Sequence, residues 1–166
     1  MSQKSVLDVH SSNPYPSNVL SNFHANAFVF DGVPCASMEG LLQSLKTKNT
    51  ALQREVCLLT GKAAKFFFAR RIQNVRWKLT GRLYWKGKAI LRDSDEYRRF
   101  LDRAYDALYT NPDFVRALID SADSELVHTI GKSRTRSTIL TEYEFISRLL
   151  RLRARAQSEQ NQIRSE

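Results

Sequence analysis

The feature that most constrains the fold is a hairpin signal that runs directly into a helix start. Asp31-Gly32 is a tight-turn dipeptide between two short runs rich in Phe and Val, so residues 27–36 are expected to form a β-hairpin. Ser37 follows at once and is a natural N-cap, because its hydroxyl can accept from the unpaired N–H groups of a first helical turn. The helix it opens is expected over 37–48. Glu39 then falls at the second helical position, where the positive end of the helix dipole favours an ionised carboxylate.

At about 100° per residue, Glu39, Gln43, Lys46 and Thr50 share one narrow stripe, with Leu41 and Leu45 pointing elsewhere. Spacing alone leaves two readings: a solvated polar face that begins with a dipole-favoured Glu, or a carboxylate with polar neighbours arranged for chemistry.

A chain of 166 residues is long enough for one domain with a proper core. A hydrophobic fraction of 42% with both signs of charge interspersed is the composition of a globular protein. No apolar run approaches the roughly 18 residues of a spanning helix, and the polar N-terminus does not resemble a signal peptide, so a cytoplasmic protein without a membrane partner is expected. Cys35 and Cys57 are expected to be reduced, since two thiols at this spacing indicate neither a disulfide framework nor a zinc site.

The net charge of +9 is uneven. Residues 56–92 hold ten Lys or Arg and no Asp or Glu. Such a field attracts phosphates, on a nucleotide or along a nucleic acid. Because the cations are interleaved with Phe66, Phe67, Phe68, Trp77 and Trp85, a merely solubilising surface is the competing reading.

Along the chain, residues 1–17 lack periodicity and read as a flexible arm, 18–155 as the folded domain, and 156–166 as a polar, frayed tail. Helices are expected over 51–60 and, shorter, over 62–68, whereas 72–79 favours a strand or extended connection. Tyr97, Phe100, Leu101, Ala104, Tyr105 and Leu108 define a strong amphipathic helix behind the acidic cap Asp93-Ser94-Asp95-Glu96. Asn111-Pro112 opens the next helix, through about residue 121, and Thr141-Glu142-Tyr143-Glu144 is a capping box for the last. The sum is an α+β fold: a predominantly helical single domain with a small sheet or hairpins.

Several of these motifs occur together in one family. Leu20-Ser21-Asn22-Phe23, the hairpin, Ser37-x-Glu39-x-x-x-Gln43-x-x-Lys46, Asn111-Pro112, Leu126-Val127 and the closing Arg-Leu-Leu-Arg-Leu-Arg segment resemble the NADAR family (NAD- and ADP-ribose-associated domains) over nearly the whole chain. The resemblance implies a NADAR-like fold and hydrolysis of N-glycosidic bonds in ribosyl compounds. The implied substrates are a phosphorylated ribosylamino-pyrimidine of riboflavin synthesis or ADP-ribose on modified guanine in nucleic acid. It also implies that Glu39 is catalytic. No cofactor and no metal are expected, with water as the second substrate. The chain departs from the family in lacking the Asp-x-x-Trp-Gly element many members carry, and in having His128 where Glu is common.

Cleaving a bond between an anomeric carbon and nitrogen passes through an oxocarbenium-like state, which a carboxylate can stabilise. Glu39 is the best-placed candidate, with Gln43 and Lys46 one and two turns on to hold hydroxyls and phosphate. Ser37 belongs to the same motif. Asn22 and Phe23 precede the hairpin and reach ribose or base if they fold over Glu39; a backbone-bonding turn residue is the other reading of Asn22. Trp85, in Arg82-Leu83-Tyr84-Trp85-Lys86-Gly87-Lys88, is either a stacking platform for a base or a core Trp. After a short strand at 125–127, His128 is a structural or proton-transferring His, Gly131 permits close backbone approach, and Lys132 can take an anionic oxygen. The Gly-Lys-Ser tripeptide is not a P-loop, because the earlier Gly would fall at Leu126. Glu142 and Glu144 are second carboxylates unless capping accounts for both. The competing function is a non-catalytic binder of ADP-ribose, nucleotide or nucleic acid.

Overall fold

The computed structural model of the chain describes residues 5–165. In chain order the elements are β1 (Val6–Asp8), α1 (Ser17–Leu20), β2 (Phe28–Phe30), β3 (Val33–Cys35), α2 (Met38–Ser44), α3 (Thr50–Cys57), α4 (Gly61–Phe66), α5 (Ile72–Thr80), β4 (Arg82–Trp85), β5 (Lys88–Leu91), α6 (Asp95–Leu108), α7 (Pro112–Asp120), β6 (Glu125–Val127) and α8 (Glu142–Ser165). The strands form three separate pairs: β1 with β6 in parallel, and the antiparallel hairpins β2–β3 and β4–β5. This is the mostly helical α+β architecture expected from the sequence.

The expected hairpin forms with Phe30 opposite Val33, and its turn places Asp31 and Gly32 at φ +47° and +76°, the left-handed region that an Asp-Gly pair tolerates. Ser37 caps α2 by accepting from Gly40 N at 3.0 Å. Ser94, Asn111 and Thr141 cap α6, α7 and α8 through their side chains, and Glu144 closes the box by accepting from Thr141 N at 2.8 Å. α2 is shorter than expected. Its apolar face, with Leu41 and Leu45 fully buried, packs into a core shared with Leu101, Tyr105, Phe114 and Leu149.

Three expectations fail for physical reasons. The described part of the arm, 5–17, is ordered: β1 pairs with β6, Val9 N donates to Val127 O at 2.8 Å, and Asp8 accepts from both Thr129 N and Thr129 Oγ1. A three-residue strand has too little sequence to show a period, and its partner lies at the other end of the chain. Residues 1–4 of the expected arm lie outside the described residues. Residues 72–79, expected to be extended, form α5, which Gly81 ends in a left-handed cap. Ile72, Val75 and Leu79 are exposed on that helix and only Trp77 is buried, so a two-residue alternation and a helical face were indistinguishable over so short a run. The described part of the expected tail, 156–165, continues as helix, because Ala156 is buried and Gln157 and Glu159 bond to Ala122 O and Tyr109 Oη; Glu166 lies outside the described residues.

Two buried contacts hold the loops that reach the cavity described below. At Gly40, a Cβ would lie 2.6 Å from Leu59 O and 2.9 Å from the carbonyls of Val56 and Cys57, so only glycine lets α2 meet the end of α3. Arg92, 3% exposed, grips the segment before α8: its guanidinium donates to Thr138 O and, in a two-pronged pair, to both oxygens of Glu144 at 2.9 and 2.6 Å. Tyr97 Oη bonds Ile139 O in the same segment at 2.8 Å.

Gly40→Ala is expected to cost about 1–3 kcal/mol of unfolding free energy, because three backbone carbonyls have to move; urea titration measures it. Burial alone would raise the Glu144 carboxyl, but hydrogen bonds from Arg92 and Thr141 outweigh it and hold the pKa below 4.5. The stability it contributes is complete above that value and is lost as the pH falls through the folded-state pKa. Glu144→Gln should cost about 3–5 kcal/mol near neutrality by stranding Arg92, and flatten the acid limb of a stability–pH curve.

Candidate functional site

Glu39 enters the site because of how α2 begins. Ser37 Oγ accepts from Gly40 N and donates to Leu59 O at 2.8 Å, Ala36 N donates to Cys57 O at 2.8 Å, and Glu39 N donates to Asn22 O at 3.0 Å. The first turn of α2 is thus tied to α3 on one side and to the 21–24 loop on the other. Its carboxylate faces a cavity of about 360 Å³ enclosed by α2, α4, α5, the 10–11 and 21–23 loops, and the 128–141 segment. That volume suits a phosphorylated sugar or a nucleotide fragment.

The structure brings Glu39, Gln43, Lys46, Asn22, Phe23, His128, Gly131 and Lys132 to this one cavity, although they come from three distant parts of the sequence. Glu39 is 6% exposed and, among the described residues, is the only acidic one on the wall. Its Oε1 accepts from Gln43 Nε2 at 2.9 Å, with Lys65 Nζ at 3.9 Å. A carboxylate can only accept, so the Gln43 amide must turn its nitrogen toward Glu39. Its oxygen is consequently buried at the wall and has no hydrogen-bond partner among the described residues. Leaving such an acceptor unpaired costs about 1–3 kcal/mol.

Four lysines, 46, 65, 78 and 132, surround that single acid. Burial, helped by Lys65 and Lys78 and opposed by Glu39, pushes Lys46 down to about 8. Lys46 Nζ donates to Asn74 Oδ1 at 2.9 Å and lies 5.9 Å from the centre of the Trp77 ring. The 21–23 loop is fixed from below: Tyr105, whose ionisation burial suppresses, donates to Asn22 Oδ1 at 2.9 Å. That bond leaves the Asn22 amide nitrogen as a donor.

Two histidines also line the cavity. His128 Nδ1 lies 2.7 Å from Val9 O, which can only accept, so Nδ1 carries a hydrogen. His10 Nδ1 accepts from Ser12 N at 3.1 Å, so its Nε2 carries the hydrogen. Gly131 serves chain packing here: a Cβ would lie 2.8 Å from Glu142 Cβ and 2.9 Å from His128 Cδ2. Only glycine lets the 128–131 turn close against the start of α8.

Two expected ligand contacts are corrected. Trp85 is a core residue, 6% exposed, packed against Phe30 and Phe100 with its indole N–H donated to Asp31 at 2.8 Å, and it is absent from this cavity. Ser37 is fully buried, and both capping bonds occupy its hydroxyl. Glu144 is held by Arg92 and its cap, so it offers no second carboxylate.

Sequence reasoning overlooked His10, Lys65, Phe66, Asn74, Trp77 and Lys78 on the wall. The cation block pointed at Lys65 and Lys78 without selecting them from ten. Nothing local marks Asn74 or Trp77. They converge because α5 is a helix that places them three residues apart on one face. Among the described residues no group of His, Cys, Asp and Glu is arranged to hold a metal ion, and no helix is long and apolar enough to cross a membrane.

Comparisons with known proteins give the family and the fold. The family model described as bacteriophage protein GP30.3 matches residues 14–154, which contain the whole cavity except its 10–11 edge. An uncharacterized 17.1 kDa protein from the Gp30–rIII intergenic region of Enterobacteria phage T4 is 38% identical over 151 residues, 90% of this chain and 97% of that protein. Among solved structures, the NMR structure of E. coli YbiA, a NADAR-family protein, is similar with a TM-score of 0.58 and 14% identity, covering 96% of this chain and 89% of that one. At that identity the likeness concerns the fold. Match length and shared architecture together lead to one assignment: the chain belongs to the bacteriophage GP30.3 family and has a NADAR-like fold.

Proposed function

We propose that the protein is a hydrolase of N-glycosidic bonds in phosphorylated ribosyl compounds, with Glu39 as the catalytic carboxylate. The observation that carries this reading is a single buried acid in a cavity whose other formal charges are four lysines. Lysines favour an anionic substrate, and the lone carboxylate faces the positive charge that develops at the anomeric carbon as the bond to nitrogen breaks. The NADAR-like fold supports the same reading.

The residues divide the work by their chemistry. Glu39 stabilises the oxocarbenium-like state and orients the attacking water. Gln43 holds the Glu39 carboxylate through its amide nitrogen, and Asn22 offers an N–H to a ribose hydroxyl. Lys65, Lys78 and Lys132 neutralise phosphate. Lys46, with its pKa near 8, is protonated at neutral pH yet acidic enough to pass a proton to the departing nitrogen.

For the substrate, ADP-ribose on guanine in nucleic acid is favoured over a phosphorylated ribosylamino-pyrimidine. Lys65 and Phe66 on the cavity wall are exposed, and the same stretch of chain carries the exposed cations Lys62, Arg70 and Arg76 on and beside α4 and α5, more positive charge than one phosphate needs. Binding through that face should weaken steeply with salt.

Mass spectrometry of products from an ADP-ribosylated guanine oligonucleotide and from a ribosylamino-pyrimidine phosphate tests both levels. Wild type is expected to release a free ribosyl fragment, and Glu39→Gln to lower kcat by about 100- to 1000-fold. Binding of either compound without turnover by wild type would replace this reading with that of a non-catalytic binder. The kcat/KM profile should fall as the pH rises through about 8, where Lys46 loses its proton, and Lys46→Arg should remove that alkaline limb.

A further inference from the structure

Asn74 lies on α5 and lines the cavity, and its side-chain oxygen receives two donors. Lys46 Nζ donates to Oδ1 at 2.9 Å and Trp77 Nε1 donates to the same atom at 3.3 Å. An ammonium and an indole N–H are donors only, so the amide orientation is settled by chemistry: oxygen toward both, Nδ2 away. The two bonds use both lone pairs of the oxygen. Lys46 therefore has a fixed direction, and its position is tied through one atom to the aromatic wall beside it.

The charged groups around Lys46 come from three elements. Glu39 faces it from α2, Lys65 from α4 and Lys78 from α5. Glu39 is the only anion among them. An aspartate at position 74 has nearly the same shape and would accept the same two bonds, but it would add a second negative charge within hydrogen-bond distance of the amine. Asn does the holding and leaves the charge out.

We propose that Asn74 is a positioning residue for Lys46: a neutral acceptor that aims the amine into the cavity and couples it to the Trp77 indole while leaving its protonation free to change. The proposal rests on the reading of Lys46 as the proton-passing group. The burial that lowers Lys46 would be opposed by a carboxylate at position 74, and the group would then stay charged through the pH range in which it has to give up a proton.

The test needs no turnover, so its failure is separate from failure of the glycosidase reading, which product release decides. Lysine 13Cε signals of the full-length protein are followed by NMR from neutral to alkaline pH, with Lys46 assigned by its loss in Lys46→Arg. Asn74→Asp is expected to raise the Lys46 midpoint by about 1–2 units. A midpoint unchanged in a folded Asn74→Asp protein overturns the proposal. The Trp77 indole N–H signal is read in the same titration: in wild type it should shift with the Lys46 midpoint, and in Asn74→Ala that shift should vanish. A Trp77 signal that still follows Lys46 in Asn74→Ala overturns the coupling, and this second variant serves if Asn74→Asp does not fold.

Discussion

The close contact between the first turn of α2 and the end of α3 is the constraint on which the site depends. Three backbone carbonyls of the 56–59 segment crowd the face of Gly40, Ser37 bonds to the last of them, and Ala36 bonds to Cys57. These are short-range contacts with almost no freedom to slide, unlike apolar side chains that repack. They fix the height and rotation of α2, and with them the direction of the Glu39 carboxylate. The hairpin that feeds α2 is held on its other side by Trp85 and Arg103, both bonded to Asp31. Trp85 therefore matters to the site indirectly, by anchoring the strand pair that leads into it.

On that frame the cavity concentrates groups that work against folding. A carboxylate 6% exposed, an amine whose pKa burial has lowered and an amide oxygen without a partner are each unfavourable in a protein interior. Glu39 and Gln43 sit on α2 and Lys46 just past its end, at the edge of a core to which α6, α7 and α8 contribute Tyr97, Tyr105, Phe114 and Leu149, all fully buried. The division is physically sensible. The long amphipathic helices supply the apolar burial, and the short helices next to the hairpins carry the polar, costly groups. The buried Arg92–Glu144 pair links the two parts, since the segment it grips forms one wall of the cavity.

How much could be read beforehand depended on how local each signal was. The hairpin at Asp31-Gly32, the caps at Ser37, Ser94, Asn111 and Thr141, and the face of α6 each rest on residues within a few positions of one another, and each was legible. Glu39, Gln43 and Lys46 share one stripe, so their convergence was legible too. β1 was not, because what makes it a strand is β6, more than a hundred residues away. α5 was misread because its apolar residues face outward, which removes the burial pattern that separates a helix from a strand. Trp85 was weighed as a stacking platform and Trp77 was not; both lie in the cationic block, and only the path of the chain decides which one reaches the cavity.

The sequence by itself determined the class of fold, the starts of its main helices, the carboxylate at the head of α2 and the excess of positive charge around it, because these follow from turn chemistry, capping and side-chain period over short distances. Tertiary structure alone decided which of ten cations face Glu39, that His10 from the N-terminal segment joins His128 from the other end of the chain, and that Asn74 holds Lys46 and Trp77 on one oxygen. Those groupings depend on contacts between segments distant in sequence, and no local preference of the residues involved encodes them.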